Sequence, residues 1–205
     1  MAIDFVYFDL GNILVRFDVE IAISNVARVV GVSEGAVRSS VYDSGLQDDY
    51  ECGRMNGSSY AETVRERLGV SAGAFAAPDF LEAISDMFTP IDGMVELVRS
   101  VHRSVGRVGL LSNTCEAHWE WIRRQSWQIG SLPFESLIMS YQVGAMKPDQ
   151  AIYSAAEQAS GVPTERMLFL DDKPENIAAA RERGWQAEQC FGGSEAQSVI
   201  GEMVP

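Results

Sequence analysis

Four short, mostly apolar runs punctuate the chain, at residues 5–8, 108–111, 137–139 and 167–170, with a weaker fifth at 187–190. Continuous apolar runs of this length suit strands covered on both faces, as in a parallel sheet. Between them the apolar spacing changes to a helical one. Val95, Leu97, Val98 and Val101 form one face ahead of the second run. Residues 149–160 form another helix, stopped by Gly161 and Pro163, and residues 175–183 a third, stopped by Gly184. Strand–helix alternation of this kind predicts an α/β fold, a doubly wound, Rossmann-like parallel sheet.

The first two runs are separated by about ninety residues without a good strand pattern. That stretch reads as helices over 21–30, 34–42, 59–68 and 79–88. So long a helical excursion directly after a first strand predicts a separate small domain. The expected division is a core of residues 1–15 and 92–205, with an all-helical cap domain over 16–91.

Composition narrows the function classes. Hydrophobic residues are 46% and charged residues 22%, which suits a globular protein and argues against disorder. Sixteen basic against twenty-nine acidic side chains leave a net charge of -13. Phosphate backbones need clusters of Lys and Arg, so no nucleic acid partner is expected. No apolar run approaches a membrane span, and Met1-Ala2-Ile3-Asp4-Phe5 lacks the basic start of a signal peptide. Cys52, Cys115 and Cys190 are odd in number, form no CxxC and read as reduced thiols. A cytoplasmic protein with no membrane partner is the expectation, as monomer or homodimer. Only two of the sixteen cations are Lys, namely Lys147 and Lys173. Where Arg is the default, a Lys marks a place suited to a compact ammonium.

Ligands of open α/β sheets bind at the carboxyl ends of the strands. There the chain carries Asp9-Leu10-Gly11-Asn12, then Ser112-Asn113-Thr114, then Lys147-Pro148, then Asp171-Asp172. Three carboxylates on one rim repel each other unless a cation neutralises them. Oxygen ligands without His or Cys select a hard ion, Mg²⁺ above all. Ser112, Asn113 and Lys147 supply donors for an anion, and an Asp carboxylate can attack a phosphate held there. Each motif alone has an ordinary alternative: turn formation by Asp9, helix capping by Ser112-Asn113-Thr114 or Asp171-Asp172, an exposed loop at Lys147. Four such coincidences, each at a strand end, are the weaker explanation.

These motifs, in this order, resemble the haloacid dehalogenase superfamily in its branch with a helical cap after the first strand. The similarity spans essentially the whole chain, with the core signatures the stronger part. Within the superfamily it looks closest to sugar-phosphatase-like members, including the α-D-glucose-1-phosphate phosphatase branch, which share the Asp-Leu-Gly-Asn start and a His six residues after the motif Ser, here His118. The resemblance implies that Asp9 is a nucleophile forming an aspartyl-phosphate. It implies that Ser112 and Asn113 bind the transferring phosphoryl group and that Lys147 bridges nucleophile and phosphoryl. Mg²⁺ would be held by Asp9, the Gly11 carbonyl, Asp172 and Asp171, the last directly or through water. Asn176 would tie the acidic loop to its helix. The substrate would be a small phosphate ester, a sugar phosphate by preference.

One departure stands out. Most phosphatases of this family carry an Asp two residues after the nucleophile, as general acid and base, where this chain has Gly11. General acid help is worth ~10²–10⁴-fold. A more acidic leaving group, such as an anomeric hydroxyl, would suit the deficit; His118 is the substitute acid and substrate contact that the sequence offers. Trp119 and Trp121 read as packing residues, and Tyr50-Glu51-Cys52-Gly53-Arg54 as the cap loop facing the site, with Arg54 a candidate substrate contact. The rival readings are a metal-independent dehalogenase using Asp9, a binding protein without turnover, and a phosphotransferase.

Overall fold

The computed structural model describes residues 2–204. In chain order the elements are β1 (Phe5–Phe8), β2 (Val15–Phe17), α1 (Val19–Val30), α2 (Glu34–Val37), a π-helical turn (Arg38–Tyr42), α3 (Leu46–Glu51), α4 (Gly57–Leu68), α5 (Ala77–Ser85), β3 (Phe88–Pro90), α6 (Met94–Val105), β4 (Val108–Ser112), α7 (Glu116–Arg124), β5 (Phe134–Met139), α8 (Ser140–Val143), α9 (Gln150–Ser160), β6 (Met167–Asp171), α10 (Pro174–Glu182), β7 (Gln186–Gln189) and α11 (Ser194–Met203).

Five strands form one parallel sheet in the order β5-β4-β1-β6-β7. β1 lies at the centre, with Phe8 level with Leu110 of β4 on one side and Leu170 of β6 on the other. Its four residues are all buried, and alternation sends them to opposite faces. Val6 and Phe8 join a cluster with Leu110, Leu168 and Leu170, while Phe5 and Tyr7 pack with Leu111, Phe169, Tyr153 and Trp185. Each such side chain contributes roughly 1.5–3 kcal/mol of burial. The Tyr7 hydroxyl stays satisfied at depth by donating to the Ala156 carbonyl, 2.9 Å away. The chain runs from β1 to one side of the sheet and later returns to the other, so β1 marks the switch point where a ligand crevice opens.

The pattern-based strands hold, with two differences at the sheet edges. β5 starts three residues before its apolar run, and as an edge strand it leaves Leu137 exposed. β7 begins at Gln186, and its half-exposed polar residues weaken its apolar signal.

The helical stretch after β1 differs more. It is bracketed by a two-stranded antiparallel ribbon, β2 with β3, in which Val15 pairs with Pro90 and Phe17 with Phe88. At three residues per strand, each with one buried position, the ribbon is too short to show a period. Residues 34–42 are not one helix: α2 gives way to the π-helical turn. α3 is an extra element of six residues, and the last helix of the stretch stops at Ser85. α1 starts and ends as its sequence asks, with the Asp18 carboxylate accepting from the Glu20 N–H and Gly31 left-handed at the end.

Candidate active site

Asp9 follows β1 directly, and its N–H still donates to the Leu170 carbonyl of β6 at 3.0 Å. The chain then turns tightly, since the N–H groups of Leu14 and Val15 both return to the Leu10 carbonyl. Asn12 sits within that turn at a φ of 56°, a conformation that Asn tolerates better than most residues. Its side-chain amide donates to Asp172 Oδ2 at 3.0 Å, which ties the first loop to the last.

Lys147 is the centre of the site. Its side chain is 1% exposed, and Nζ lies 2.8 Å from Asp9 Oδ1, 2.6 Å from Asp171 Oδ2 and 2.8 Å from the Leu111 carbonyl. All three ammonium hydrogens therefore have acceptors. Burial works against the charge, but attraction to Asp9 and then Asp171 outweighs it and holds the ammonium above its ordinary pKa. The Asp9 pKa is raised as well, which for a carboxyl favours the neutral form: burial is the main cause, Lys147 opposes it, and Asp171 adds to the rise. Removing Lys147 would leave two buried carboxylates facing each other without a cation.

Asp171 is fully buried, and both of its oxygens are taken. Oδ2 accepts from Lys147, Oδ1 accepts from the Lys173 N–H at 2.8 Å, and the Asn176 amide reaches both at 3.0 Å. Asn176 thus ties the acidic loop to α10, as the resemblance implies. Neither acidic residue caps that helix, whose first cap position is Lys173 without a side-chain bond. Nor does Ser112-Asn113-Thr114 cap α7, which begins after Cys115. The ordinary alternatives therefore fail at both places.

Asn113 differs from its expected role. Its amide donates to the Lys147 carbonyl at 2.9 Å and accepts from the Lys147 N–H at 2.7 Å. The side chain clamps the lysine peptide, so any contact with a bound anion falls to its backbone N–H. The Ser112 hydroxyl has one long contact of 3.4 Å to the Asn113 carbonyl and is otherwise available.

His118 is buried and neutral. Nδ1 lies 3.0 Å from the Ser85 hydroxyl and Nε2 lies 3.1 Å from the Gln47 amide nitrogen. Burial lowers its pKa to about 4, so at neutral pH it is not an imidazolium acid. Both nitrogens are spent on protein, which gives the ring a positioning task in place of the acid role its sequence position suggests. Trp119 and Trp121 are buried beside it, with Trp121 packed on Phe88 and Trp127. Arg54 points away: its side chain is 66% exposed and pairs with Asp49.

One cavity of about 270 Å³, near the small end of ligand pockets, opens among Asp9, Lys147, Asn113, Ser112 and His118. Core residues Asp9, Gly11, Ser112, Asn113, Lys147 and Asp172 share it with Tyr42, Gln47, Asp48 and Glu51 from the helical insert. Of the insert's residues, only the segment that holds Glu51 was expected from the sequence to face the site, with Arg54 as its candidate contact; Tyr42, Gln47 and Asp48 were missed.

A divalent metal fits the donor set. Carboxylate oxygens of Asp9, Asp171 and Asp172 lie within 4.8 Å of one another. The Gly11 carbonyl accepts no backbone hydrogen bond among the described residues. Asn176 Oδ1, in the same cavity, is a buried acceptor without a protein partner and so suits a water on such an ion. All are hard oxygen donors. Since Asp171 is already saturated, Asp9, Asp172 and the Gly11 carbonyl are the groups left to hold the ion.

Comparison with known proteins agrees. A model of haloacid dehalogenase-like hydrolases matches residues 45–184, which include Ser112, Lys147, Asp171 and Asp172. The chain belongs to that family. It is 25% identical over 197 residues to the D-ribitol-5-phosphate phosphatase of Bacteroides thetaiotaomicron, covering 93% of each chain. It is 26% identical over 181 residues to the pyrimidine 5'-nucleotidase YjjG of Escherichia coli, covering 84% of this chain and 79% of the relative. Among solved structures, a haloacid dehalogenase family enzyme of Bacteroides thetaiotaomicron in complex with magnesium and inorganic phosphate superposes with a TM-score of 0.85 at 21% identity, over 97% of this chain and 100% of that one. The protein is a hydrolase of this family with the α/β fold that the strand pattern predicts.

Proposed function

We propose that the protein is a Mg²⁺-dependent phosphatase of small phosphorylated metabolites, acting through an aspartyl-phosphate on Asp9. The observation that carries this reading is the Lys147 ammonium fixed between Asp9 Oδ1 and Asp171 Oδ2. A cation so held opposes the rise that burial imposes on the Asp9 carboxyl, aims it, and meets the negative charge of an incoming phosphoryl group. Asp171 acts through Lys147, by anchoring it. Asp9, Asp172 and the Gly11 carbonyl would hold Mg²⁺, which when bound neutralises phosphate charge. The Ser112 hydroxyl and Asn113 N–H would complete the phosphoryl cradle.

Sugar or sugar-alcohol phosphates are the preferred class. The insert's share of the wall offers no cation; its polar members are Tyr42, Gln47, Asp48 and Glu51, and the rest, Phe17, Val19, Met87 and Phe88, are apolar. Such a wall suits a neutral, hydroxyl-bearing group and disfavours a second anionic one. The Tyr42 hydroxyl is buried there without a partner, a donor free for a substrate oxygen. The relative named for ribitol 5-phosphate supports the same class. In this reading, residues 16–91 serve as a cap over the core.

A panel of phosphate esters with Mg²⁺, with EDTA, and alongside a 2-haloacid tests the proposal. Phosphate release that requires Mg²⁺ and is highest for sugar or sugar-alcohol phosphates is the expected result. Halide release that survives EDTA would overturn it in favour of the dehalogenase reading. Asp172 speaks against that alternative, because Lys147 pairs with Asp9 and Asp171, and the remaining carboxylate repels a haloacid's own.

A further inference from the structure

Breaking a phosphate ester releases an alkoxide unless a proton reaches the leaving oxygen as the bond breaks. Gly11 has no side chain to give one. The Lys147 hydrogens are spent on Asp9, Asp171 and the Leu111 carbonyl. His118 is spent on Gln47 and Ser85. Asp48 and Lys173 are exposed. Asp9 is the nucleophile and Asp172 a metal ligand in the proposed reading, which leaves one half-buried carboxyl in the cavity wall, and it comes from the insert: Glu51.

We propose that Glu51 is the general acid and base of this active site, doing from the cap what a carboxylate at position 11 would do from the core. This rests on the phosphatase reading and deepens it. Glu51 ends α3, and the next residues press that end onto the core. The Ser140 hydroxyl lies 2.6 Å from the Glu51 carbonyl, and the Cys52 thiol donates to the Gly144 carbonyl. Gly53 has a φ of 71°, and a Cβ there would sit 2.1 Å from the Tyr141 carbonyl oxygen. Only glycine allows this approach.

The carboxyl group is oriented as well as delivered. Gln47 Oε1 accepts from the Tyr60 hydroxyl at 2.5 Å, so its amide nitrogen faces the other way. That nitrogen lies 2.9 Å from Glu51 Oε1 and 3.1 Å from His118 Nε2. His118 therefore accepts at Nε2 and carries its proton on Nδ1, toward Ser85. Four residues from α3, α4, α5 and α7 thus fix the Gln47 amide. Glu51 Oε1 takes its hydrogen bond, and Oε2 has no protein partner among the described residues. A neutral acid held this way has its carbonyl oxygen bonded and its O–H free. Burial raises the Glu51 pKa to about 7, against the pull of the Gln47 bond. The charged groups acting on it are Asp48, Lys173 and Asp9; Tyr42, Tyr60 and Cys115 are the other titratable groups that sense it.

The chemistry balances in two steps. An Asp9 carboxylate oxygen forms a bond to phosphorus while the bond from phosphorus to the ester oxygen breaks. That oxygen keeps the electron pair and takes the Glu51 proton, leaving as the alcohol. Glu51, now a carboxylate, removes a proton from water as the water oxygen bonds to phosphorus. The bond from phosphorus to Asp9 breaks, its electron pair returns to the Asp9 carboxylate, and inorganic phosphate leaves with Glu51 protonated again.

Glu51→Gln, compared with wild type on glycerol phosphate and p-nitrophenyl phosphate with Mg²⁺, tests this. The nitrophenolate leaves without a proton, so its kcat/KM should stay within about threefold, while kcat/KM for glycerol phosphate falls ~10²-fold or more. The kcat for the aryl ester should fall too, since the second step has lost its base. Independently of the variant's folding, wild-type kcat/KM for the alkyl ester should decline above about pH 7 with no matching decline for the aryl ester. Equal losses on both esters, no loss on the alkyl ester, or identical wild-type pH profiles would overturn the assignment and leave the phosphatase reading standing. A wild type inert toward both esters would overturn that reading and this inference with it.

Discussion

The two halves of the cavity wall are built differently. On the core side the charged centre is fully bonded: Lys147 has three acceptors, Asp171 has donors on both oxygens, and Asn113 is clamped to the Lys147 peptide, while the Ser112 hydroxyl and the Gly11 carbonyl stay open toward the proposed ligands. On the insert side, groups are left open, with the Tyr42 hydroxyl unpartnered and one Glu51 oxygen free. A saturated network is rigid, because each member is held by several others. It suits a reacting centre that must not reorganise during the reaction. The open groups suit the part of the site that meets variable chemistry, the leaving group and the water. Under the proposed function, the bonded groups hold the reacting phosphoryl group, and the open ones, Glu51 and Tyr42, face the leaving group and the water.

Breaking the saturated half should cost most. Lys147→Arg keeps the charge but replaces a compact ammonium with a planar fork that cannot serve three acceptors in one small space. Its kcat/KM should fall ~10²–10³-fold for alkyl and aryl esters alike, measured by phosphate release. The open half should respond more gently and more selectively. Tyr42→Phe should raise KM for a sugar or sugar-alcohol phosphate up to ~10-fold with kcat nearly unchanged, the size of one hydrogen bond. Inorganic phosphate should inhibit both forms equally, since it lacks the leaving group that Tyr42 is proposed to contact.

The smallest effect is on stability, and its sign is opposite to that on activity. Glu51 is raised from 4.5 to about 7 in the fold by burial. Its ionisation is therefore resisted by the folded state and free in the unfolded one. Stability present below about pH 4.5 is lost as pH rises through about 7. Glu51→Gln removes that loss, so the variant should melt higher than wild type above pH 7, with the gain fading toward pH 4.5. Melting curves across this range check it. A variant that is slower yet more stable is the mark of a group kept at a cost to the fold for its chemistry.

The same contrast governs how much could be read from sequence. Strand ends are legible, because four apolar runs locate the sheet and topology brings their following residues to one rim. Asp9, Ser112, Lys147, Asp171 and Asp172 were found that way, and they do converge. What neighbouring groups leave free was not legible. Asn113 looks like an anion donor until the Lys147 backbone takes its amide, and His118 looks like an acid until both nitrogens are bonded. The insert was legible as helices but not as a surface. α3 is too short to show a period, and the apolar spacing of a cap helix does not say which polar residue faces the core. In the segment Tyr50-Glu51-Cys52-Gly53-Arg54 the sequence draws attention to Arg54, which turns to solvent, while Glu51 faces the cavity. Gly53 was the available signal, since a glycine at a close approach marks where that segment meets the core.

The central claim is that Asp9 carries the phosphoryl group. It is tested most directly by mixing wild-type enzyme with p-nitrophenyl phosphate and Mg²⁺, quenching in acid at successive short times, and mapping phosphoryl groups on peptides by mass. A phosphoryl group should form on Asp9 with nitrophenol release and then be lost as inorganic phosphate appears. Phosphate release with the protein unmodified at every time, or with the group on another residue, would contradict it.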